Sequence, residues 1–332
     1  MQRCFAAGAA AAVTKTIRAE AAVNPVPHIG ALGKGSMLNT EKWSDLSAEQ
    51  WVHGEFPALV NADGVVIASL GHTVADIQAV GEMVLRAPSI RMVELVSYVA
   101  ADMAPMVRLV KQMTDLPVLA KMSPNWPDVV EIAAACVEAG VDGITAADSL
   151  GPTLHIDIET ARPIVDGEHG HAWMSGAFIR PVIARIVADI CRRFPDLPVV
   201  ATGGISSAAD VVEMSMLGAT CAGVHTAPML QGLKWLEKTR KALAKWLDDH
   251  GYSSLAATRG LALPHLPPAE DHTLLVFGYE PELCTECDRC VVVCPYAARE
   301  LAEKRMALDE TLCRSCGLCV SVCPTGALTA GK

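Results

Sequence analysis

Eight cysteines near the end of the chain have the spacing of iron–sulfur ligands. Each of two runs reads C-x₂-C-x₂-C-x₃-C-P. The first run consists of Cys284, Cys287, Cys290 and Cys294, and the second of Cys313, Cys316, Cys319 and Cys323. In proteins with two such runs, the fourth cysteine of each run ligates the cluster held by the other run. The sequence therefore predicts one [4Fe–4S] cluster on Cys284, Cys287, Cys290 and Cys323, and a second on Cys313, Cys316, Cys319 and Cys294.

Zinc and disulfides are the alternatives for these cysteines. Zinc sites usually contain two C-x₂-C pairs rather than a triplet followed by C-P. Disulfides would need an oxidising compartment. The four other cysteines, Cys4, Cys136, Cys191 and Cys221, lie in apolar stretches, and we predict that they are small buried hydrophobic residues.

Charge and hydropathy exclude several classes of partner. The 332 residues carry a net charge of −10, which argues against nucleic acid and anionic membrane surfaces. Although 51% of the residues are hydrophobic, no apolar run reaches the about 18 residues of a membrane span. The alanine-rich start, residues 1–13, has no convincing cleavage pattern, so it is interpreted as a helix followed by a strand. We expect a cytoplasmic protein.

Short β-rich runs alternate with helical stretches up to about residue 230. The predicted strands are Ala11–Ile17, Val65–Leu70, Met92–Ser97, Pro117–Met122, Gly143–Ala147, Val199–Thr202 and Cys221–Thr226. The predicted helices are Ala75–Leu85, Ala104–Met113, Trp126–Ala139, Pro181–Arg193 and Ala208–Leu217. Such alternation is typical of a parallel sheet built from βαβ units. Seven strands favour an α/β fold of the (β/α)₈ TIM-barrel type over residues 1–252.

A complete barrel needs one more strand before Ala11, and the first strand is apparently missing. Either the chain starts upstream of Met1, which we favour, or another chain covers the open edge, because unpaired backbone groups there are costly. We also expect an oligomer.

The end of the chain is predicted to be a separate small domain. Residues 231–250 form an amphipathic helix, and Gly251 stands at its C-terminal cap. Residues 253–278 contain three prolines and no clear periodicity, so we interpret them as a linker. Residues 279–332 then form a small α+β domain that holds the clusters in two weakly similar halves.

Three glycine-bearing or small-residue stretches are candidates for a phosphate site. They are Ser175-Gly176-Ala177, Thr202-Gly203-Gly204-Ile205 and His225-Thr226-Ala227. In barrels the loops after the last two strands commonly hold a phosphate, because glycines let backbone N–H groups approach its oxygens and a following helix adds a favourable dipole. The alternative is that these stretches are plain turns.

Two lysines end predicted strands, Lys15 in T-K-T-I and Lys121 in L-A-K-M-S-P-N. A lysine at the inner rim of a barrel is costly unless it has a negative partner. An anionic cofactor such as a reduced flavin would be such a partner. The alternative is a salt bridge at the rim.

These motifs together resemble the FMN barrel of the dihydroorotate dehydrogenase family. The resemblance rests on W-M-S-G-A-F-I-R-P-V-I-A-R-I-V, V-V-A-T-G-G-I-S-S-A-A-D and H-T-A, and is strongest to the form fused to a two-cluster ferredoxin in dihydropyrimidine dehydrogenases. It implies that Lys15 and Lys121 contact the flavin ring. It also implies that the FMN phosphate is held by Ser175, Gly176, Gly203, Gly204, His225 and Thr226.

The departures from the family concern the substrate. The family's E-L-N-L-S reads Glu94-Leu95-Val96-Ser97-Tyr98, and no cysteine follows it in the short continuation to Met103. The family's N-T after the sixth strand reads Asp148-Ser149, and Asn39 is a loosely aligned substrate-type amide. A site that hydrogen-bonds a pyrimidine rejects ligands that leave its polar groups unpaired, so these changes argue against a pyrimidine substrate.

We predict Asp148, His72 and Asn39 as the catalytic candidates, with Asp148 and His72 as acid–base groups. A lone histidine is more often structural, and this alternative stays open for His72.

The sequence thus predicts an oxidoreductase that passes electrons between an organic substrate at FMN and an external partner through two [4Fe–4S] clusters. The chain carries no G-x-G-x-x-G after a strand, so an NAD(P)H- and FAD-binding flavoprotein subunit or a soluble ferredoxin is the expected partner. One rival is an electron-transfer subunit without substrate chemistry of its own. A second rival is a pyrimidine-reducing enzyme with a rearranged base.

Overall fold

The computed structural model describes residues 1–331 as two compact units, Met1–Leu266 and a second that begins at Pro267. The division falls inside the predicted linker. The first part of that segment packs on the first unit: Thr258 is fully buried, and its hydroxyl donates to Ser215 Oγ at 2.9 Å. The last residues of the predicted linker belong to the strand Val276–Tyr279 of the second unit.

The first unit is built on a seven-stranded parallel sheet. In spatial order the strands are Ala11–Val13, Val65–Gly71, Ile90–Val96, Val118–Lys121, Gly143–Ala146, Val199–Thr202 and Cys221–Gly223. The order follows the chain, as repeated βαβ units require, and it is consistent with a TIM-type barrel. Each predicted strand is present. The first is shorter than predicted, although Ile17 forms a separate bridge to Leu70, and the last ends at Gly223 because a helix begins at Thr226.

Helices connect these strands. The longer ones are Val74–Leu85, Ala100–Met113, Val129–Glu138, Arg180–Arg193, Ala208–Met216 and Lys234–Asp249. Short ones are Gln2–Ala6, Ala48–Gln50, Thr226–Gln231, the π-helix Trp51–Glu55, and the 3₁₀ turns Phe56–Leu59, Glu168–Gly170, Ala177–Ile179, Leu255–Thr258 and Leu263–His265. All five predicted connecting helices are present. The amphipathic helix ends at Asp249, and Gly251, two residues later, has a φ of +73°, the left-handed conformation that glycine favours after a helix.

The core lies on both faces of the parallel sheet, which explains why its strands are almost wholly apolar. Leu70, Leu95, Ile144 and Ala201 are fully buried. The exception is Glu94, a carboxylate that is only 5% exposed in the middle of a strand.

A four-stranded antiparallel sheet was not predicted from the sequence. Its strands in spatial order are Ile29–Leu32, Ser36–Asn39, Ala172–Gly176 and Leu150–Thr153. A two-stranded ladder, Ile156–Asp157 with Arg162–Pro163, is separate. Ser175 and Gly176 therefore end an antiparallel strand that lies outside the parallel sheet. The reason is that this strand pairs with the hairpin 29–39, with Ser175 opposite Met37 and Gly176 opposite Ser36.

The second unit has the small α+β organisation that was predicted. Val276–Tyr279 pairs with Leu328–Gly331, and Arg299–Ala302 with Arg305–Leu308, both antiparallel. Two helical turns, Arg289–Val292 and Leu318–Ser321, carry cysteines, and a 3₁₀ turn spans Pro281–Leu283. Among residues 1–331, no helix has the length and apolar composition needed to cross a membrane.

Candidate functional site

A cluster of charged side chains lies at the carboxyl edge of the parallel sheet. Lys121 is the last residue of its strand, and its Nζ lies 3.2 Å from Oδ1 of Asp148, which follows the next strand. Glu94 lies on the neighbouring strand and accepts a hydrogen bond of 2.8 Å from Thr145 Oγ1. The βαβ order brings these residues together, since consecutive parallel strands end at the same edge.

Burial and charge set the protonation of this cluster. Burial opposes the charge of Lys121, but the carboxylates of Asp148 and Glu94 outweigh it and raise the pKa of the lysine. Burial raises the pKa of Glu94, and the Lys121 charge and the Thr145 hydroxyl act against it. Lys121 therefore remains cationic at neutral pH, and Glu94 is the carboxyl of this cluster best suited to hold a proton. Sequence reasoning missed Glu94, although an acid inside an otherwise apolar strand is a recognisable signal.

Lys15 has its own carboxylate partners. Its Nζ lies 2.9 Å from Glu41 Oε1 and 3.8 Å from Asp45 Oδ1, and its side chain is 37% exposed. This is the salt bridge that was the alternative for Lys15. The charges of Glu41, Lys121, Asp148 and Lys15 all act on the imidazole of His225. The structure thus brings both predicted lysines, Asp148 and His225 into one region.

His72 is held by the start of the helix that follows its strand. Thr73 caps this helix, and the Asp76 carboxylate accepts hydrogen bonds from His72 N at 2.7 Å and Thr73 N at 2.9 Å. The same carboxylate pairs with Arg18 at 2.7 Å. The imidazole is 6% exposed and packs against the Tyr98 ring with centroids 4.1 Å apart.

Burial and the nearby Arg18 charge lower the pKa of His72 to about 4. The imidazole is therefore neutral at neutral pH, so one ring nitrogen can accept a hydrogen bond or a proton and the other can donate a hydrogen bond.

We expect the thermal stability of the protein to fall between pH 7 and pH 5.5 because of His72. An unfolded histidine with a pKa near 6.5 binds a proton in this range, whereas the folded imidazole does not until about pH 4. The contribution of neutral, buried His72 to the free energy of unfolding is complete above about pH 6.5. At pH 5.5 the free energy of unfolding is lower by roughly 1 kcal/mol. Melting curves at the two pH values should differ less for His72→Gln than for the wild type. His155→Gln, at an exposed position, is the control and should keep the wild-type difference; an unchanged difference in His72→Gln would contradict the assignment.

Asn39 shapes the turn that carries Glu41. Its Oδ1 accepts a hydrogen bond of 3.1 Å from Glu41 N, which positions the carboxylate that pairs with Lys15. A different amide lies nearer to Asp148: Asn125 donates to Ser149 O at 3.1 Å and accepts from Gly151 N at 2.9 Å. Val96, where the family carries an amide, is 7% exposed.

Two of the three predicted phosphate stretches approach one another closely. Ser175 Oγ and Thr226 Oγ1 lie 2.8 Å apart, and Thr226 is buried while the His225 side chain is exposed. Gly176 has a φ of +89°, and a Cβ there would lie 2.9 Å from Thr226 Cγ2 and overlap with Gly35 O. The glycine therefore allows the two hydroxyls to face the same space.

Gly203 and Gly204 lie in the turn between the strand Val199–Thr202 and the helix Ala208–Met216. Their φ values are +104° and +83°, and a Cβ on Gly204 would overlap with the Arg180 backbone. Arg180 in turn pairs with the buried carboxylate of Asp210, which also accepts from Ser206 N at 2.8 Å. Side chains at these two glycines are excluded by strain or by contact, which leaves backbone as the surface that a ligand would meet.

Two cavities in the second unit are lined by the eight cysteines. Cavity A is lined by Cys284, Cys287, Cys290 and Cys323, among other residues. Cavity B is lined by Cys294, Cys313, Cys316 and Cys319, among other residues. Each cavity thus combines three cysteines of one run with the fourth of the other, which is the crossed grouping that the spacing predicts. The donor set of four thiolates around each cavity fits a [4Fe–4S] cluster.

The remaining cysteines are less uniform than predicted. Cys136 and Cys191 are buried in the core, and burial raises the pKa of Cys136 to about 12 and that of Cys191 to about 11. Cys4 is partly buried. The prediction is wrong for Cys221, which is exposed because it opens the last strand at the edge of the sheet.

Comparisons with known proteins agree with this architecture. Residues 3–247 match the dihydroorotate dehydrogenase family, and residues 283–327 match the 4Fe-4S dicluster domain. The catalytic subunit of dihydroorotate dehydrogenase B (NAD(+)) from Bacillus cytotoxicus is 32% identical over 254 residues, which cover 71% of this chain and 79% of that protein. The corresponding subunit from Methanothermobacter thermautotrophicus is 40% identical over 156 residues, 47% of this chain and 50% of that protein.

The NAD-dependent dihydropyrimidine dehydrogenase subunit PreA of Escherichia coli K12 is 34% identical over 208 residues. The match covers 59% of this chain and 50% of PreA. The chain therefore spans about half the length of two of these three relatives.

Proposed function

Because the chain belongs to the dihydroorotate dehydrogenase family and carries a 4Fe-4S dicluster domain, we propose that it is an oxidoreductase acting on a CH–CH bond of a small organic substrate that is not a pyrimidine. The cofactors of these two families are FMN and two [4Fe–4S] clusters, as predicted from the sequence. When bound, FMN supplies the exchange between an electron pair on an organic substrate and the single electrons that the clusters carry.

The buried cluster of Lys121, Asp148 and Glu94 carries this proposal. A lysine that stays cationic in a largely buried position stabilises negative charge placed beside it far more than an exposed lysine does. Lys121 would therefore lie at the flavin ring and favour its reduced, anionic form. Lys15, more exposed and paired with Glu41, would support the same ring from the first strand.

The phosphate of FMN would be held by the three predicted stretches, two of which, at Ser175 and Thr226, lie in contact. Ser175 and Thr226 would donate from their hydroxyls, and the backbone of Gly203 and Gly204 from its N–H groups. The exposed His225, next to Thr226 in the chain, would contact the phosphate through its imidazole ring.

Proton handling falls to the groups around Lys121. Asp148 is paired with the cationic Lys121 and would act as the base that accepts a substrate proton. Neutral His72, whose ring packs against Tyr98, would accept a hydrogen bond or donate one to the substrate. Asn39 would act indirectly, since its amide oxygen is used by the turn at Glu41.

Two changes separate this site from one that binds a pyrimidine. Val96 neither donates nor accepts a hydrogen bond, and a carboxylate at Asp148 accepts only. A pyrimidine C=O group would find no donor at either position, and an N–H group would find no acceptor at Val96, which is expensive in a buried site.

The partner would be an NAD(P)H- and FAD-dependent flavoprotein subunit or a soluble ferredoxin in the cytoplasm. The names of the relatives mention NAD(+) or NAD dependence and describe subunits. The sequence of this chain has no G-x-G-x-x-G after a strand, so a nicotinamide site would belong to the partner.

An electron-transfer subunit without substrate chemistry is the second candidate. The observation that favours it is the short connection after the strand Ile90–Val96, since the next helix already begins at Ala100. This connection leaves little room for a long loop with a catalytic cysteine or serine.

Flavin bleaching under anaerobic conditions tests the proposal. We expect dihydroorotate and dihydrouracil to reduce the bound flavin slowly or not at all, whereas dithionite reduces it fully. A panel of small unsaturated acids and their reduced forms should contain a compound that changes the flavin spectrum. Rapid bleaching by either dihydropyrimidine would contradict the substrate assignment, and failure of a broad panel would favour the electron-transfer subunit.

A further inference from the structure

Arg299 is a buried cation in the wall of cavity B. Its side chain is 4% exposed, and its Nε donates a hydrogen bond of 3.2 Å to Cys319 Sγ. The guanidinium carbon lies 4.4 Å from the centroid of the Phe277 ring. Its Nη2 is also buried and has no hydrogen-bond partner among residues 1–331.

The two halves of the domain differ at this position. The first half reads C-P-Y-A-A-R from Cys294 to Arg299, and the second reads C-P-T-G-A-L from Cys323 to Leu328. The equivalent alanines are each 2% exposed, and Leu328 is 3% exposed in the wall of cavity A. The internal repeat therefore places a buried leucine at one cavity and a buried arginine at the other.

A buried guanidinium needs a negative partner, and in the described residues Arg299 forms no ion pair with a carboxylate. Its Nε donates instead to the sulfur of Cys319. The unpaired Nη2 requires a further acceptor, because a buried donor without one is destabilising. An iron–sulfur cluster held by the cysteines of cavity B would supply both the negative charge and an acceptor.

One pair of backbone hydrogen bonds to sulfur is the same in the two halves, and Ala298 N also donates to Cys294 Sγ at 3.4 Å. Glu286 N donates to Cys284 Sγ and Ser315 N to Cys313 Sγ, each at 3.4 Å and at equivalent positions. The bond from Arg299 has no such counterpart, since leucine cannot donate.

We propose that Arg299 makes the two clusters unequal, by stabilising an added electron at cavity B relative to cavity A. Hydrogen bonds to sulfur and nearby positive charge raise the reduction potential of such clusters, because the reduced form carries one more negative charge. With Arg299 in place, cavity B holds the cluster of higher potential and is reduced first. No proton is needed, since the arginine stays charged in both states.

Exposed charges near the clusters should matter less. Arg314 also lines cavity B, but its side chain is exposed and donates to Thr311 O at 2.9 Å. Asp288 and Arg289, at cavity A, are likewise exposed and of opposite sign. Water and salt screen such charges, so Arg314 provides a matched control for the buried arginine.

Redox titration followed by electron paramagnetic resonance tests the proposal on the full-length, anaerobically purified protein. The variant Arg299→Leu copies the other half of the repeat. In this variant the higher of the two cluster midpoint potentials should fall by at least about 59 mV, which is a tenfold change in the one-electron equilibrium constant. The lower midpoint should stay in place. Arg314→Leu should move the same midpoint by much less.

Unchanged midpoints in an Arg299→Leu protein with full iron content would overturn the proposal, as would an equal shift in Arg314→Leu. If Arg299→Leu loses iron, Arg299→Lys decides the question, because it keeps the charge and loses the planar donor set. A partial fall of the higher midpoint is expected for this variant, and no fall would again overturn the proposal.

Discussion

Replacing Cys323 with serine is expected to remove the cluster of cavity A and leave that of cavity B. Cys323 belongs to the second run by sequence, yet it lines cavity A with Cys284, Cys287 and Cys290. Iron should fall from about eight to about four atoms per chain, because a [4Fe–4S] cluster is normally held by four cysteines. Iron analysis together with paramagnetic resonance of the reduced protein measures this directly.

Cys294→Ser is the matched variant, since it should remove the other cluster. The double variant Cys294→Ser/Cys316→Ser should still retain one cluster, because Cys294 and Cys316 line the same cavity. Combining Cys323→Ser with Cys316→Ser should cost both clusters. If the first pair of substitutions removed both clusters, the ligation would follow the runs and the crossed grouping would be wrong.

Replacing Lys121 with methionine is expected to lower the midpoint potential of the flavin and weaken its binding. The change removes the positive charge that lies 3.2 Å from Asp148 and acts on Glu94. The electrostatic effect on the reduced flavin is about 1–3 kcal/mol at a partly buried lysine. Spectroscopic titration of the bound flavin gives the potential, and ultrafiltration gives the bound fraction.

Lys15→Met is the control for this experiment. Its side chain is 37% exposed against 21% for Lys121, so water screens its charge more and a smaller shift is expected. An unaltered flavin potential in Lys121→Met would contradict the proposal that Lys121 lies at the flavin ring.

The parallel sheet could be predicted because its strands are continuous in sequence and buried on both faces. Runs such as Val65–Gly71 and Ile90–Val96 are apolar and bounded by helices, and local pattern is sufficient to identify them. The grouping of cysteines could also be predicted, because cluster geometry dictates the spacing within a run.

The antiparallel sheet could not be predicted in this way. Its strands come from residues 29–39, 150–153 and 172–176, and short strands from distant segments show no distinctive periodicity. Ser175 was therefore identified by its motif while its strand was not. Glu94 was missed for a related reason: its role depends on Lys121 and Thr145 from neighbouring strands.

The flavin and iron content of anaerobically purified protein tests the central claim most directly. We predict one FMN and about eight iron atoms per chain, with the flavin released unchanged on denaturation. Protein that carries both clusters but takes up no FMN, even when the cofactor is supplied in excess, would contradict the account and leave the first unit a scaffold for electron transfer.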